Sequence, residues 1–387
     1  MEIFSEKRVR VKKIKTKSGE LQTPFFMPDA TRGFIKSMSG KDLKDAGVGP
    51  MVVNTYHLYL QPGMELIKKS VSPCQNFDGQ GNIHKFMNWD KPLLSDSGGY
   101  QVFSLIHKNP QMGKITDDGV EFRSPLDGSK HYITPEKAIQ IQFDLGVDMM
   151  VCLDDPPPNS HTKEKIEAAV DRTLAWAKRC MIEYKKQIKE RKIEKENKPL
   201  IFCVIQGGEY LDLRKKCVEG LIEIGFSKEG GPAMRWDGYG FGARHVDSEG
   251  NFLEKVLEYT AKLIPEDSLR FALGIGTPED IVRSVQMGWD MFDCVIPTRE
   301  ARHGKIFLWK DDNLEGEFYK TVNITNSKFK DDFSAIDENC DCELCLNYSR
   351  AYLHHIFKMK DPLAARIASI HNLKFYTNLM KKIRGEM

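Results

Sequence analysis

Long apolar runs are absent from this chain. No stretch approaches the roughly 20 consecutive apolar residues that a bilayer span needs, and the opening MEIFSEKRVRVKKIKTKSGE holds no apolar signal core. The expectation is a soluble, cytoplasmic protein with no membrane partner. An excess of one charge is also missing, since 57 Lys and Arg stand against 55 Asp and Glu for a net +2. A global basic field is thereby excluded, and any polyanion site must be local. Cysteine is sparse and odd in number, nine in 387 residues, with several inside apolar runs such as IFCVIQGG. Reduced thiols or metal ligation fit that pattern better than a secreted disulfide framework. Neither GxGxxG nor a Walker A pattern follows the early apolar runs, and the Gly-rich turns DSGGY and IQGGEY have the wrong spacing for either. No repeat or low-complexity tract is found, and the charge run from Lys185 to Lys198 reads as a solvated helix end.

What is present is a series of eight short β-rich apolar runs: TPFFMPDA, PMVVNTYH, PLLSDSGG, DMMVCLDD, LIFCVIQGG, YGFGAR, RFALGIG and MFDCVIPT. Helical periodicities with capping signals lie between several of them, such as TPEKAIQIQFDLG from Thr134 and TPEDIVRSVQMG from Thr277. Alternation of this kind predicts an α/β fold, a (β/α)8 TIM barrel, with a doubly wound open sheet as the alternative. Most of the strands end in a polar residue or Gly: Asn54, Asp96, Asp154, Gln206, Gly242, Gly276 and Asp293. Active sites of such barrels sit at this C-terminal rim. The first twenty or so residues read as an extra β-element. Residues 1–305 are assigned to the barrel with that element, and 306–387 to a separate tail.

Two carboxylates stand out. Asp96 in LLSDSGGYQVFSL and Asp293 in MFDCVIPTREARHG each follow a buried strand, where a charge is costly without a purpose or partner. A cap or turn is the bland account of Asp96; for Asp293 it is weaker, because no helix is expected to start there. A carboxylate pair at a barrel mouth suits glycosidic chemistry, one attacking the anomeric carbon while the other moves a proton. Asp154 offers an acceptor to a donor-rich heterocycle edge, Gln206 an amide contact, and Tyr100 a stacking face. Arg299 and Arg302 could hold phosphates beside the reacting sugar. In CDCELC, Cys340, Cys342 and Cys345 provide three soft ligands, for which His354, His355 and His371 are candidate fourth members of a tetrahedral zinc site. A redox pair is the competing reading.

The chain resembles the tRNA-guanine transglycosylases, through NTYHLYLQPG, SDSGGYQVFSL, VIQGG, GIGTPEDI, DMFDCVIPTR, CDCELC and SIHNL, which span almost its whole length. The resemblance implies a (β/α)8 barrel with a zinc-bearing subdomain and a pentosyltransferase that exchanges a guanine of tRNA for a 7-deazaguanine. It makes Asp293 the nucleophile that forms a covalent intermediate with ribose C1′, and Asp96 the general acid/base. It assigns the base to Ser97, Gly98, Gly99, Tyr100, Asp154, Gln206, Ala243 and Leu273. The tRNA falls to Gly274, Ile275, Gly276, Thr277, Pro278, Glu279 and Asp280, and to Thr298, Arg299, Glu300, Ala301 and Arg302. One structural Zn2+ falls to Cys340, Cys342, Cys345 and His371. It further implies a homodimer.

The chain ends about 16 residues after His371, whereas relatives that modify the D-arm carry additional C-terminal domains. The expected target is therefore the wobble guanine, position 34, of tRNAs with a G34-U35-N36 anticodon (Asp, Asn, His and Tyr). Departures from the family pattern cluster about the 7-substituent. FGARHVDSEG stands where preQ1 users carry G-G-L-A-V-G-E, Pro156 replaces a cysteine, and Leu273 replaces a methionine. Queuine, in a salvage role, is the expected incoming base, with preQ1 the alternative. A barrel glycoside hydrolase and a non-catalytic RNA-binding subunit are the rival classes.

Overall fold

The computed structural model describes residues 9–70, 81–158, 160–311 and 313–387. The first eight residues of the expected N-terminal β-element lie outside this set. All eight apolar runs form parallel strands of one barrel: β1 (Phe25–Pro28), β2 (Met51–Asn54), β3 (Leu93–Asp96), β4 (Met149–Val151), β5 (Leu200–Ile205), β6 (Gly238–Phe241), β7 (Leu269–Ala272) and β8 (Met291–Cys294). From β2 to β8 each pairs with its neighbour in chain order, and β8 pairs with β1. The seam between β1 and β2 closes through a parallel bridge of Asp29 and Val52, with the Ala30 N–H donating to the Val52 carbonyl at 2.7 Å.

Side chains alternate across the barrel wall. Phe25, Met27, Val52, Leu94, Val151, Phe202, Val204, Phe271 and Met291 fill the interior. Phe26, Val53, Met150, Cys203, Phe241 and Phe292 face the surrounding helices. Ile14 and Leu21 join the interior cluster from an antiparallel hairpin, Lys13–Thr16 with Gly19–Gln22, that lies ahead of β1. The expected capping signals operate: Thr134 caps the helix Pro135–Leu145 and Thr277 the helix Pro278–Gln286, each with Pro in the first turn. Among the described residues no helix is long and apolar enough to cross a membrane.

Three features depart from expectation. A three-stranded antiparallel sheet, Gly113–Ile115, Val120–Arg123 and Lys130–Ile133, follows the helix after β3. A short helix, Ile296–Arg302, does start just beyond Asp293, admitted by Pro297 in its first turn. Within the charge run, Lys185 is buried, its Nζ donating to the carbonyls of Ser227 at 2.9 Å and Glu229 at 3.1 Å. The tail forms the hairpin Lys305–Trp309 with Tyr319–Asn323, then helices Glu343–Asn347, Arg350–Lys358 and Pro362–Ile383. The last of these packs against Ile296–Arg302 and β1, where the Phe26 and Tyr376 rings lie 4.8 Å apart.

Candidate active site

The period-two register that buries Met27, Val52, Leu94, Val204, Phe271 and Met291 places the next inward residue of each strand at the C-terminal mouth. Those residues are Asp29, Asn54, Asp96, Gln206, Leu273 and Asp293. Strand β6 contributes glycine at its inward positions: a Cβ at Gly242 would lie 2.3 Å from Gln206 Nε2, so only glycine leaves room for that amide. A cavity of about 680 Å³ opens at the mouth. Asp29, Asp96, Ser97, Gly98, Gly99, Tyr100, Asp154, Ala243, Leu273, Gly274, Gly276, Thr277, Asp293 and Arg299 all line it.

Asp96 is held by four donors, the most distant being Gln101 Nε2 at 3.5 Å from Oδ2. Asn54 Nδ2 reaches Oδ2 at 2.6 Å, and the backbone N–H groups of Thr55 and Gly98 reach Oδ1, each at 3.1 Å. Gly98 makes the turn at φ 75°, with Tyr56 N only 2.7 Å from where a Cβ would stand. Burial nevertheless pushes the Asp96 carboxyl up to about 7, helped by the charges of Asp29 and Asp293 and opposed by the Thr55 N–H. Asp293 accepts the Gly274 N–H at 2.9 Å and is likewise pushed to about 7 by burial, with Asp29 adding to the rise. In both groups burial is the largest cause, and the neighbouring carboxylate charges add to it.

Across the mouth, Gln206 Nε2 donates to Asp154 Oδ2 at 2.6 Å. Burial raises Asp154 to about 7 although Gln206 pulls it down. Gln206 itself is buried behind Asp154, outside the cavity lining, and its Oε1 has no donor among the described residues. Tyr100 is 59% exposed and stands at the opening. Ala243 adopts φ 65°, a left-handed conformation that costs a non-glycine residue about 1–2 kcal/mol. Beside it, burial and the neighbouring Arg244 lower His245 to about 4, so the ring is neutral at pH 7. A second cavity of about 320 Å³ shares Tyr100, Pro156, Ala243 and Arg244 with the first and runs on past Phe103, His107, Pro157 and Pro158.

The polar segments on the β7 and β8 side divide. Arg299 is exposed at the cavity edge, Glu300 pairs with it at 3.2 Å, and Arg302 is half-buried. Ile275, Pro278, Thr298 and Ala301 turn their side chains into the protein instead. Glu279 accepts the Tyr319 hydroxyl, and Asp280 closes a cap with Thr277, whose Oγ1 donates to it at 2.6 Å. One cavity-facing group escaped the sequence reading, Asp29. Asp29 was within reach, because Phe25, Met27 and Asp29 share one face of β1.

In the tail, the ligand atoms of Cys340, Cys342, Cys345 and His371 all lie within 4.8 Å of one another. His371 Nδ1 stands 3.2 Å from Cys345 Sγ and 3.6 Å from Cys342 Sγ, while Nε2 donates to the Phe307 carbonyl at 2.8 Å. That second contact sets the tautomer which leaves Nδ1 free to ligate. His354 is engaged elsewhere, its Nδ1 on the Ile324 carbonyl at 2.8 Å. The four residues can hold a metal ion, and three sulfurs with one imidazole suit a closed tetrahedral centre.

Fold and site together define a (β/α)8-barrel protein with a carboxylate-ringed mouth and a Cys3His centre in its tail. The family model described as queuine tRNA-ribosyltransferase matches residues 5–387. A queuine tRNA-ribosyltransferase of Halothermothrix orenii is 42% identical over 378 residues, covering 98% of this chain and 90% of that one. Proteins of the same name from Psychrobacter sp. and Francisella tularensis subsp. novicida are each 41% identical, over 379 residues (98% and 90% coverage) and 382 residues (99% and 92%). The chain belongs to the queuine tRNA-ribosyltransferase family, and is a transferase of the tRNA-modifying kind.

Proposed function

We propose that the protein exchanges the wobble guanine of tRNA for a 7-deazaguanine base by double displacement. The observation that carries this reading is the meeting of Asp293, Asp96 and Asp154 in one cavity at the barrel mouth. Asp293, as carboxylate, attacks C1′ of the ribose; the C1′–N9 bond breaks, and Asp96 delivers a proton to the departing guanine. Asp96, now ionised, takes a proton from the incoming base, which attacks C1′ and releases Asp293. Two inversions retain configuration. Tyr100 stacks on the base, Asp154 and Gln206 read its edge, and Arg299 and Arg302 hold flanking phosphates. Denaturing gels of enzyme with tRNA should show a covalent adduct that disappears in Asp293→Asn. No adduct with the wild type would favour the non-catalytic RNA-binding alternative.

Queuine is the favoured incoming base. The second cavity supports this choice, since it extends the base site past Pro156 and Arg244 by enough room for a large 7-substituent. Charging tRNA with labelled guanine and chasing with either base tests it: efficient displacement by preQ1 alone would remove queuine. The remaining finer readings are also proposals. They are a structural Zn2+ at the Cys3His set, residues 306–387 as a subdomain docked on the barrel, the four G34-U35-N36 tRNAs as substrates, and a cytoplasmic salvage role. A homodimer is the final one; it would cover exposed apolar side chains of the tail such as Phe333 and Leu346, 80% and 69% accessible.

A further inference from the structure

The cavity wall carries a fourth carboxylate, beside Asp96, Asp154 and Asp293, that the exchange chemistry leaves without a task. Asp29 extends the inward stripe of Phe25 and Met27 on β1, and in the pairing of β1 with β8 Met27 stands opposite Asp293. It lines the cavity beside the nucleophile. Among the described residues its one side-chain hydrogen-bond partner is Thr31, whose hydroxyl donates to Oδ1 at 2.7 Å, and its carboxylate forms no ion pair. A half-buried, acceptor-only group of this kind wants an O–H or N–H donor, and it repels phosphate.

The position of Asp29 on the barrel selects the donor. Gln206 and Asp154, the groups that read the base edge, belong to the ends of β5 and β4, on the wall facing β1 across the eight-stranded ring. A nucleotide with its base directed there and its C1′ at Asp293 turns its sugar toward β8 and β1. The hydroxyl one carbon away from C1′ is the 2′-hydroxyl. We propose that Asp29 is a ribose-binding residue, accepting a hydrogen bond from the 2′-hydroxyl of the target nucleotide and so favouring RNA over a deoxy target. This inference rests on the exchange reading above, and it adds the sugar to what the site recognises.

The test compares labelled-guanine exchange into an anticodon stem-loop RNA and into the same RNA with a single 2′-deoxy substitution at the target guanosine. Wild type should use the deoxy target roughly tenfold less well in kcat/KM. Asp29→Ala should lower the all-ribose value by a similar factor and leave the deoxy value within about twofold. Asp29→Asn, which keeps an acceptor oxygen, should retain part of the preference. Equal use of both targets by wild type, or an equal drop on both in Asp29→Ala, overturns the inference and leaves the exchange reading standing. No exchange into the all-ribose target by wild type overturns both. The wild-type arm needs no variant, so a failure of Asp29→Ala to fold does not remove the test.

Discussion

At Asp293, burial and hydrogen bonding act in opposite directions. The Gly274 N–H favours the carboxylate, while burial favours the acid and wins, so the group titrates near 7. An unfolded Asp titrates near 4. A carboxyl raised on folding contributes stability that is fully present below about pH 4 and lost as pH rises through about 7. Asp293→Asn resembles the protonated form at every pH. It should therefore raise Tm by roughly 2–4 °C at pH 8 and by about a third as much at pH 5 while abolishing exchange. Thermal melts at the two pH values check this, and an equal shift at both would show that Asp293 is not held as an acid by its surroundings. Activity of the wild type should rise with pH through about 7, as the attacking carboxylate forms.

At the scale of elements, one side chain joins the ends of β5 and β6. Arg214, on the helix Leu211–Phe226, is fully buried. Its Nε donates to the Gly208 carbonyl at 2.9 Å, Nη1 to Ile205 at 2.7 Å and Nη2 to Gly242 at 3.0 Å. The guanidinium also stacks on the Phe241 ring at 4.0 Å. Burial lowers it to about 9, which leaves it charged at neutral pH. Its three acceptors flank Gln206 and Ala243, so Arg214 positions both sides of the proposed base pocket without lining the cavity. Arg214→Met leaves those carbonyls unpaired and should cost roughly 3 kcal/mol of stability. It should also raise KM for the free base about tenfold while KM for tRNA moves little. Arg214→Lys should rescue part of the loss. Steady-state kinetics with each substrate varied in turn check the split, and equal rises in both KM values would reduce Arg214 to a stability role.

At the scale of the whole molecule, the tail and the barrel mouth are mechanically joined. The helix Pro362–Ile383 carries His371 into the Cys3His set, and the next residue, Asn372, donates to the carbonyls of Pro297 at 2.9 Å and Lys305 at 3.0 Å. One turn on, the Tyr376 hydroxyl donates to the Gly276 carbonyl at 2.6 Å, behind the cavity lining. Loss of the metal should loosen this helix and both rim segments together. Chelation under mildly denaturing conditions should lower Tm by several degrees and reduce tRNA retention and exchange in parallel, with recovery on adding Zn2+. Calorimetry and filter binding check it, and a metal-free protein with its full Tm and activity would refute the structural assignment.

The eight barrel strands were legible in the sequence because parallel strands buried on both faces leave continuous apolar runs, and the polar residues that end them mark the rim. The three-stranded sheet at 113–133 was not, because only Val120, Phe122 and Ile133 of its strands are buried, too few to establish a period. The three thiols of the Cys3His set were legible through chemistry, as close thiols call for a fourth donor, but chemistry left His354, His355 and His371 open, and His371 came from the family resemblance. The sequence by itself determined that eight strands would form a barrel and that the polar residues ending them, the candidates for the chemistry, would meet at one rim. Only the tertiary structure decided that Asp29 joins Asp96 and Asp293, that Gln206 lies behind Asp154, and that Thr298 and Ala301 face inward. Those outcomes depend on which residues the closed ring sets opposite one another, and on how much water it excludes from between them, which no local pattern encodes.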